Sequence, residues 1–199
     1  MSFKLYGRNA GSPLRCHWIM HELGLPFEMI ALDMHAKEHK APEYLAINPT
    51  GQVPTLDHDG FILAESLAIN DYLIEYANSD LAGANAQERA KVWQWSLWTI
   101  LNAQPELLSL AMPKWTGIPL TPENDAAVRA KLDKHLQILE ARLGASAYLA
   151  GDRFTVADIN AATAIGYASY SGFDLGVYPA ITKWLETLTS RPAYLAAKA

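Results

Sequence analysis

Asn48-Pro49-Thr50-Gly51-Gln52-Val53-Pro54-Thr55-Leu56 is the stretch on which the reading of this chain turns. The residues from Val53 to Asp57 read as a strand, yet Pro54 stands inside it, where it cannot donate to a ladder. A proline is tolerated at a strand start, and a cis Val53–Pro54 bond would make a purposeful turn. Such a bend would leave the N–H and C=O of Val53 unpaired, able to bind an extended peptide by strand addition. A plain strand-entry proline is the alternative.

Working outward, Phe61 to Ala64 reads as the partner strand, with Asp59-Gly60 supplying the hairpin turn. Upstream, Phe3–Gly7 is a strand and Pro13–Leu23 a helix with Gly24 as its stop. Pro26–Leu32 is a second strand, and Ala36–Ala46 a polar, irregular helix. Ser66–Tyr76 closes the block as an apolar-periodic helix, so the first half is a small mixed α/β domain. Asn78 to Ala86 turns small, polar and glycine-containing, as a linker does.

Beyond it the pattern is helical throughout. Gln87–Met112 reads as a long helix carrying Pro105, with a kink or break expected near there, and Lys114–Pro122 as a loop. Glu123–Leu143 carries Val128, Leu132, Leu136, Leu139 and Leu143 on one stripe. Ala157–Tyr170 and Ala180–Ser190 are further helices, and Pro192 opens a short tail. The expected division is residues 1–78, a linker over 79–85, and an all-helical domain over 86–199.

Composition narrows the function. The 199 residues carry 16 Lys+Arg against 21 Asp+Glu, a net charge of −5 with no basic stripe, which disfavours nucleic acid. One cysteine makes neither an internal disulfide nor a thiolate-rich metal site. No stretch approaches the roughly 20 apolar residues that span a bilayer, and the start lacks a signal-peptide pattern. A soluble protein of a reducing, cytoplasmic compartment is expected. Asn48-Pro49-Thr50 is no glycosylation acceptor, because proline blocks it.

Two more features ask for explanation. Glu65-Ser66 lies between a strand and a helix, where Ser66 could cap the helix or its N–H groups could hold an anion. Asn9-Ala10-Gly11-Ser12-Pro13 puts a hydroxyl at a helix start, where partial positive charge favours an anion such as a thiolate. A simple N-cap is the alternative for each.

Taken in order, these segments resemble the cytosolic glutathione S-transferases, of bacterial type, over essentially the full chain. The resemblance runs through Glu22-Leu23-Gly24-Leu25-Pro26-Phe27-Glu28, His39-Lys40-Ala41-Pro42-Glu43-Tyr44-Leu45, Asn48 to Leu56 and Glu65-Ser66-Leu67-Ala68-Ile69. In the helical half it rests on Gly151-Asp152-Arg153-Phe154-Thr155-Val156-Ala157-Asp158-Ile159. That last motif is also a capping box, Thr155 with Asp158, with Phe154 and Ile159 as a hydrophobic staple, so Asp158 reads as a folding residue.

The resemblance implies a thioredoxin-like N-terminal domain followed by a helical C-terminal domain, and a homodimer. It implies glutathione as co-substrate, no metal, and a small hydrophobic electrophile as the second substrate. Val53, beside cis Pro54, would pair with the cysteinyl part of glutathione. Glu65 and Ser66 would hold the γ-glutamyl amine and carboxylate, and His39, Lys40 and Gln52 would reach the glycyl carboxylate and ligand backbone. Ser12 is the candidate donor to the thiolate. Here the chain departs from the common pattern, because its Ser-Pro pair lies about two residues closer to Gly24 than in many serine-type members. That spacing matches the beta class, which has a cysteine at this place; without a gap, Asn9 or Ala10 would fall there, and alanine could not act. Tyr6, on the strand, is a weaker candidate.

Four other groups stay open at this level. Cys16, one turn past Ser12, offers a thiol-disulfide reductase as an alternative, and a non-catalytic glutathione-binding module is another. His17 and His21, and His35 and His39, are spaced four apart but lack a third ligand. Trp93, Trp95 and Trp98 cannot share one helix face, and Asn102, Leu108, Met112 and Trp115 either line an apolar pocket or simply pack.

Overall fold

In the first strand, β1 (Phe3–Gly7), burial alternates: Phe3, Leu5 and Gly7 face inward, while Lys4 and Tyr6 are half-exposed. The computed structural model describes residues 2–199. Helix α1 (Ser12–Glu22) follows and buries every residue from Pro13 to Met20. It leads to β2 (Phe27–Ala31), parallel to β1. A short 3-10 turn, Glu38–Lys40, precedes α2 (Pro42–Ile47) in place of the single expected helix over 36–46. Ala41 between them is extended at φ −67° and ψ 146°, because the residue before a proline is pushed out of the helical region.

The hairpin β3 (Thr55–His58) and β4 (Phe61–Ala64) turns through Asp59 and Gly60, both at positive φ, as a tight two-residue hairpin turn requires. The strand begins at Thr55 rather than Val53, after a cis Val53–Pro54 bond. β3 runs antiparallel to both β1 and β4, giving the sheet order β2-β1-β3-β4. Leu5 and Leu56, paired across the sheet, have no exposure at all. Helix α3 (Ser66–Tyr76) then buries Ile69, Leu73 and Ile74.

The second half contains α4 (Ala86–Leu101), α5 (Ala103–Thr116), α6 (Pro122–Ala145), α7 (Val156–Ile165), α8 (Ala168–Ser171) and α9 (Pro179–Thr189). The helix expected over 87–112 is two, with the interruption expected near Pro105 taking the form of a break. The break falls at Asn102, whose side chain donates to the Trp98 carbonyl at 2.7 Å. Pro105 lies in the first turn of α5, where its missing N–H has no intrahelical partner to lose. α5 also runs on past Pro113 into the expected loop, ending where Gly117 takes a left-handed conformation at φ 72°. On α6 the stripe Leu132, Leu136, Leu139 and Leu143 is buried.

The capping box at α7 forms as its residues suggest. Asp158 has no exposure; one carboxylate oxygen accepts the Thr155 N–H (3.0 Å) and hydroxyl (3.2 Å). The other accepts the Leu149 N–H and the Trp184 indole N–H, both at 3.0 Å. Burial raises the Asp158 pKa and these donors oppose the rise.

The tail is a helix, α10 (Pro192–Lys198), and not part of the helical half. The chain divides into two compact units, residues up to Ser79 with Pro192–Ala199, and Asp80–Arg191. Residues 80–85 of the stretch expected as a linker fall in the second unit, where Arg153 binds Asp80 within that stretch (2.6 Å) and Glu88 just beyond it (2.9 Å). In the first unit α10 lies along α1, with Tyr194 edge-on to Trp18 at 4.9 Å and Lys198 Nζ donating to the Asn9 carbonyl at 3.3 Å.

This packing encloses His17. Burial and then the neighbouring His21 hold its pKa down to about 4, against a bond to the Ala197 backbone. The folded ring is neutral, whereas an unfolded one protonates near pH ~6.5. Its stabilising effect is therefore complete above that pH and is lost as pH falls toward 4. Unfolding free energy should drop by about 2 kcal/mol between pH 8 and pH 5 from this residue. Urea denaturation at the two pH values measures it; His17→Phe should abolish that part, and an unaltered pH slope would refute it.

Candidate functional site

Strand register decides where the site forms. Tyr6 near the end of β1 is opposite Thr55 at the start of β3, and Thr55 is opposite Ala64 at the end of β4. The loop into α1, the loop from α2 into β3, and the junction into α3 therefore leave the sheet at one edge. Between them lies a cavity of about 200 Å³. Ser12 enters it from the first segment, Asn48, Thr50, Gln52, Val53 and Pro54 from the second, and Ala64, Glu65 and Ser66 from the third.

Two helix N-termini open at this cavity. Ser12 and Ser66 are the first residues of α1 and α3, and neither is the cap, so the N-cap alternatives do not hold. The cap positions are Gly11 and Glu65, and no side-chain hydrogen bond caps either helix. Nor does either first turn carry an acidic residue. Uncapped N–H groups and the positive ends of two 11-residue helices favour an anion here.

Arg15 reinforces that field from below. It is 1% exposed, and its Nη1 lies 3.4 Å from the Ser66 hydroxyl. Sequence reasoning passed over it; the available signal was an arginine inside the apolar run of α1. On the rim, Glu65 is exposed and holds φ 69° and ψ 109°. That left-handed φ, uncommon for a residue with a side chain, costs on the order of 1–3 kcal/mol. It places a carboxylate beside the α3 N-terminus, where the charges suit a zwitterionic group.

Val53 contributes backbone. Neither its N–H nor its C=O makes a hydrogen bond among the described residues, and it borders the cavity next to cis Pro54. Lys40 and His39 do not line the cavity. Lys40 Nζ donates to the carbonyls of Gly51 (2.7 Å) and Thr50 (3.4 Å), bracing the loop from behind. Gly51 is obligatory there: at φ 57°, a Cβ would sit 2.8 Å from Lys40 Nζ and 2.9 Å from the His39 carbonyl. The Nδ1 of His39 is buried without a partner, and burial, then Lys40 and Lys37, lowers its pKa. Asn9 is also off the cavity, with its carbonyl engaged by Lys198. The structure thus brings together Ser12, Gln52, Val53, Pro54, Glu65 and Ser66.

In the helical unit, Met112 and Trp115 are exposed, and Trp115 lies 6.1 Å from the rings of Tyr167 and Tyr170. Trp98 packs edge-on to His135, while Trp93 is exposed. Among the described residues, no group of three or more His, Cys, Asp or Glu could hold a metal, and no helix is long and apolar enough to cross a membrane.

A four-stranded mixed sheet with helices, bearing an anion-accepting cavity and a cis-proline loop at its edge, is a thioredoxin-like domain; a helical domain follows it. Comparison with known proteins takes the class to a family. The glutathione S-transferase N-terminal domain family matches residues 1–75, and the glutathione S-transferase C-terminal domain family matches residues 106–192. Glutathione S-transferase 3 of Zea mays is 37% identical over 207 residues, covering 96% of this chain and 90% of that protein. Glutathione S-transferase F13 of Arabidopsis thaliana is 34% identical over 208 residues, covering 98% and 94%. The solved structure of glutathione S-transferase-I bound with lactoylglutathione has a TM-score of 0.87 at 29% identity, covering 98% of each chain. The chain belongs to the glutathione S-transferase family. It is a glutathione transferase, with glutathione as co-substrate.

Cys16 is placed against the reductase alternative. It has no exposure, its thiol faces the Ser66 carbonyl at 3.4 Å, and burial pushes its pKa far up despite Arg15. A thiol held protonated and away from solvent is no nucleophile. It should resist Ellman's reagent in the native protein and react fully once unfolded. Cys16→Ala should retain conjugation within roughly twofold; loss of turnover with an intact fold would assign the sulfur a role.

Proposed function

We propose that Ser12 donates a hydrogen bond to the glutathione thiolate, which then attacks a small hydrophobic electrophile. The convergence of the Ser12 hydroxyl, the α1 N-terminus and the unpaired Val53 backbone on one cavity carries this reading. A thiol of pKa ~8.5 is only about 3% ionised at pH 7. A hydroxyl donor and a helix N-terminus both favour the charged form. Lowering the pKa by about two units stabilises the thiolate over the thiol by about 2.7 kcal/mol and makes it the major species.

The rest of the tripeptide follows from charge. The γ-glutamyl carboxylate meets the Ser66 hydroxyl and the α3 N-terminus above Arg15, and its ammonium meets the Glu65 carboxylate. The cysteinyl segment pairs with Val53 as an added strand. Gln52, exposed on the loop, reaches toward the glycyl end, while Lys40 and His39 support that loop. The protein works in the cytoplasm, where glutathione is abundant and its lone cysteine stays reduced.

We propose also that it is a homodimer. On α4, Trp93, Leu97 and Leu101 are 38%, 42% and 70% exposed at four-residue spacing, an apolar stripe that solvent does not favour. Sedimentation velocity should show a dimer, and Leu97→Glu with Leu101→Glu a monomer; a wild-type monomer at micromolar concentration refutes this.

Ser12→Ala tests the mechanism. Turnover with 1-chloro-2,4-dinitrobenzene at pH 7 should fall by roughly 10- to 100-fold, with the glutathione KM within about twofold. The apparent pKa of the rate profile should move alkaline, because the lost donor favoured the thiolate. Unchanged turnover would leave a backbone N–H or Asn9 as the activating group.

A further inference from the structure

Beneath the cis-proline loop lies a closed hydrogen-bond network built on Tyr44, Asn48 and Thr55, none of them assigned so far to glutathione. Tyr44 on α2 is 4% exposed, Asn48 at the end of α2 is 3% exposed, and Thr55 at the start of β3 has no exposure. Tyr44 hydroxyl donates to the Gln52 carbonyl at 2.6 Å and lies 2.7 Å from the Thr55 hydroxyl. A phenol has one proton, so with that proton on Gln52 the Thr55 hydroxyl must donate to Tyr44. Asn48 Nδ2 uses both its protons, one on the Gln52 carbonyl (3.0 Å) and one on the Thr55 hydroxyl (2.9 Å). Asn48 Oδ1 accepts from the Thr50 N–H (3.2 Å) and hydroxyl (2.9 Å). Every proton in the cluster has a single acceptor, and burial raises the Tyr44 pKa, keeping the phenol neutral.

The Gln52 carbonyl is thus held by two buried donors. The Gln52–Val53 peptide is trans and planar, so its C=O and N–H point in opposite directions. Fixing the carbonyl toward Tyr44 and Asn48 sends the Val53 N–H away from them, on the residue that borders the cavity. Tyr44 and Thr55 do not themselves line it.

We infer that Tyr44 and Thr55, with Asn48, are positioning residues for glutathione: they clamp the Gln52 carbonyl so that the Val53 backbone is aimed at the cysteinyl segment before the ligand arrives. This rests on the glutathione reading of the cavity. Pre-set backbone donors lose less freedom on binding, so the clamp acts on affinity and not on the ionisation that Ser12 controls.

The test is Tyr44→Phe, which removes one oxygen and keeps the ring. The KM for glutathione should rise by roughly 3- to 10-fold, with kcat at saturating glutathione and the KM for 1-chloro-2,4-dinitrobenzene within about twofold. Thr55→Val, which removes the hydroxyl under the pair without reaching the cavity, should give the same selective rise. Calorimetric titration of each folded variant with S-methylglutathione should show the matching loss of affinity. A lowered melting temperature with unchanged glutathione KM in both variants would make the cluster packing only and overturn the inference. A fall in kcat equal to any loss in kcat/KM would overturn it too, by placing the network in the chemical step. Wild-type protein that fails to bind S-methylglutathione at all refutes the glutathione reading itself, and the inference with it.

Discussion

The pairing of Thr55 with Tyr6 on one side and Ala64 on the other is the constraint from which the site follows. Because β3 runs against both neighbours, its beginning meets their ends, and three connections leave the sheet together. A one-residue slip of β3 would turn Leu56 out of the core and Thr55 away from its buried partners, so core and site select the same register. Once that register is set, Ser12, Val53 and Ser66 become neighbours although more than fifty residues separate the first from the last.

Charge then gives the cavity its character. Arg15 lies buried under two uncapped helix starts, and the carboxylate that borders the cavity, Glu65, is on the exposed rim. An anion gains on the inside and a cation at the edge, which is the order of charges along an amino acid's own carboxylate and ammonium. The protein's single thiol is kept from the chemistry by burial on the same helix as Arg15. Cys16 and Arg15 are adjacent on α1, and both face Ser66. The reactive sulfur belongs to the ligand.

Much of the architecture is legible locally. β1 and α3 fall where alternation and periodicity put them, and the Thr155–Asp158 capping box forms because its donors and acceptors lie within one turn. Where local reading fell short, a competing local rule or a distant contact won. The interruption expected near Pro105 falls at Asn102, and Pro105 itself sits in the first turn of the next helix. The tail after Pro192 becomes a helix of the first unit through contacts with α1, which no window of sequence contains. The family resemblance implies a ligand role for His39 and Lys40, while the Lys40 ammonium is taken up by loop carbonyls.

Residue type and near spacing alone establish the α/β block, the helical block and the candidacy of Ser12, Glu65 and Ser66, and they leave the Val53–Pro54 entrance as either a bend or a plain strand start, which the cis bond resolves. It took the tertiary fold to put Ser12 and not Asn9 on the cavity, to seal Cys16, and to set Tyr44 and Asn48 on the Gln52 carbonyl with the Thr55 hydroxyl between them. Those outcomes depend on strand register and burial, which join residues that are far apart along the chain and leave no mark in any short stretch of it.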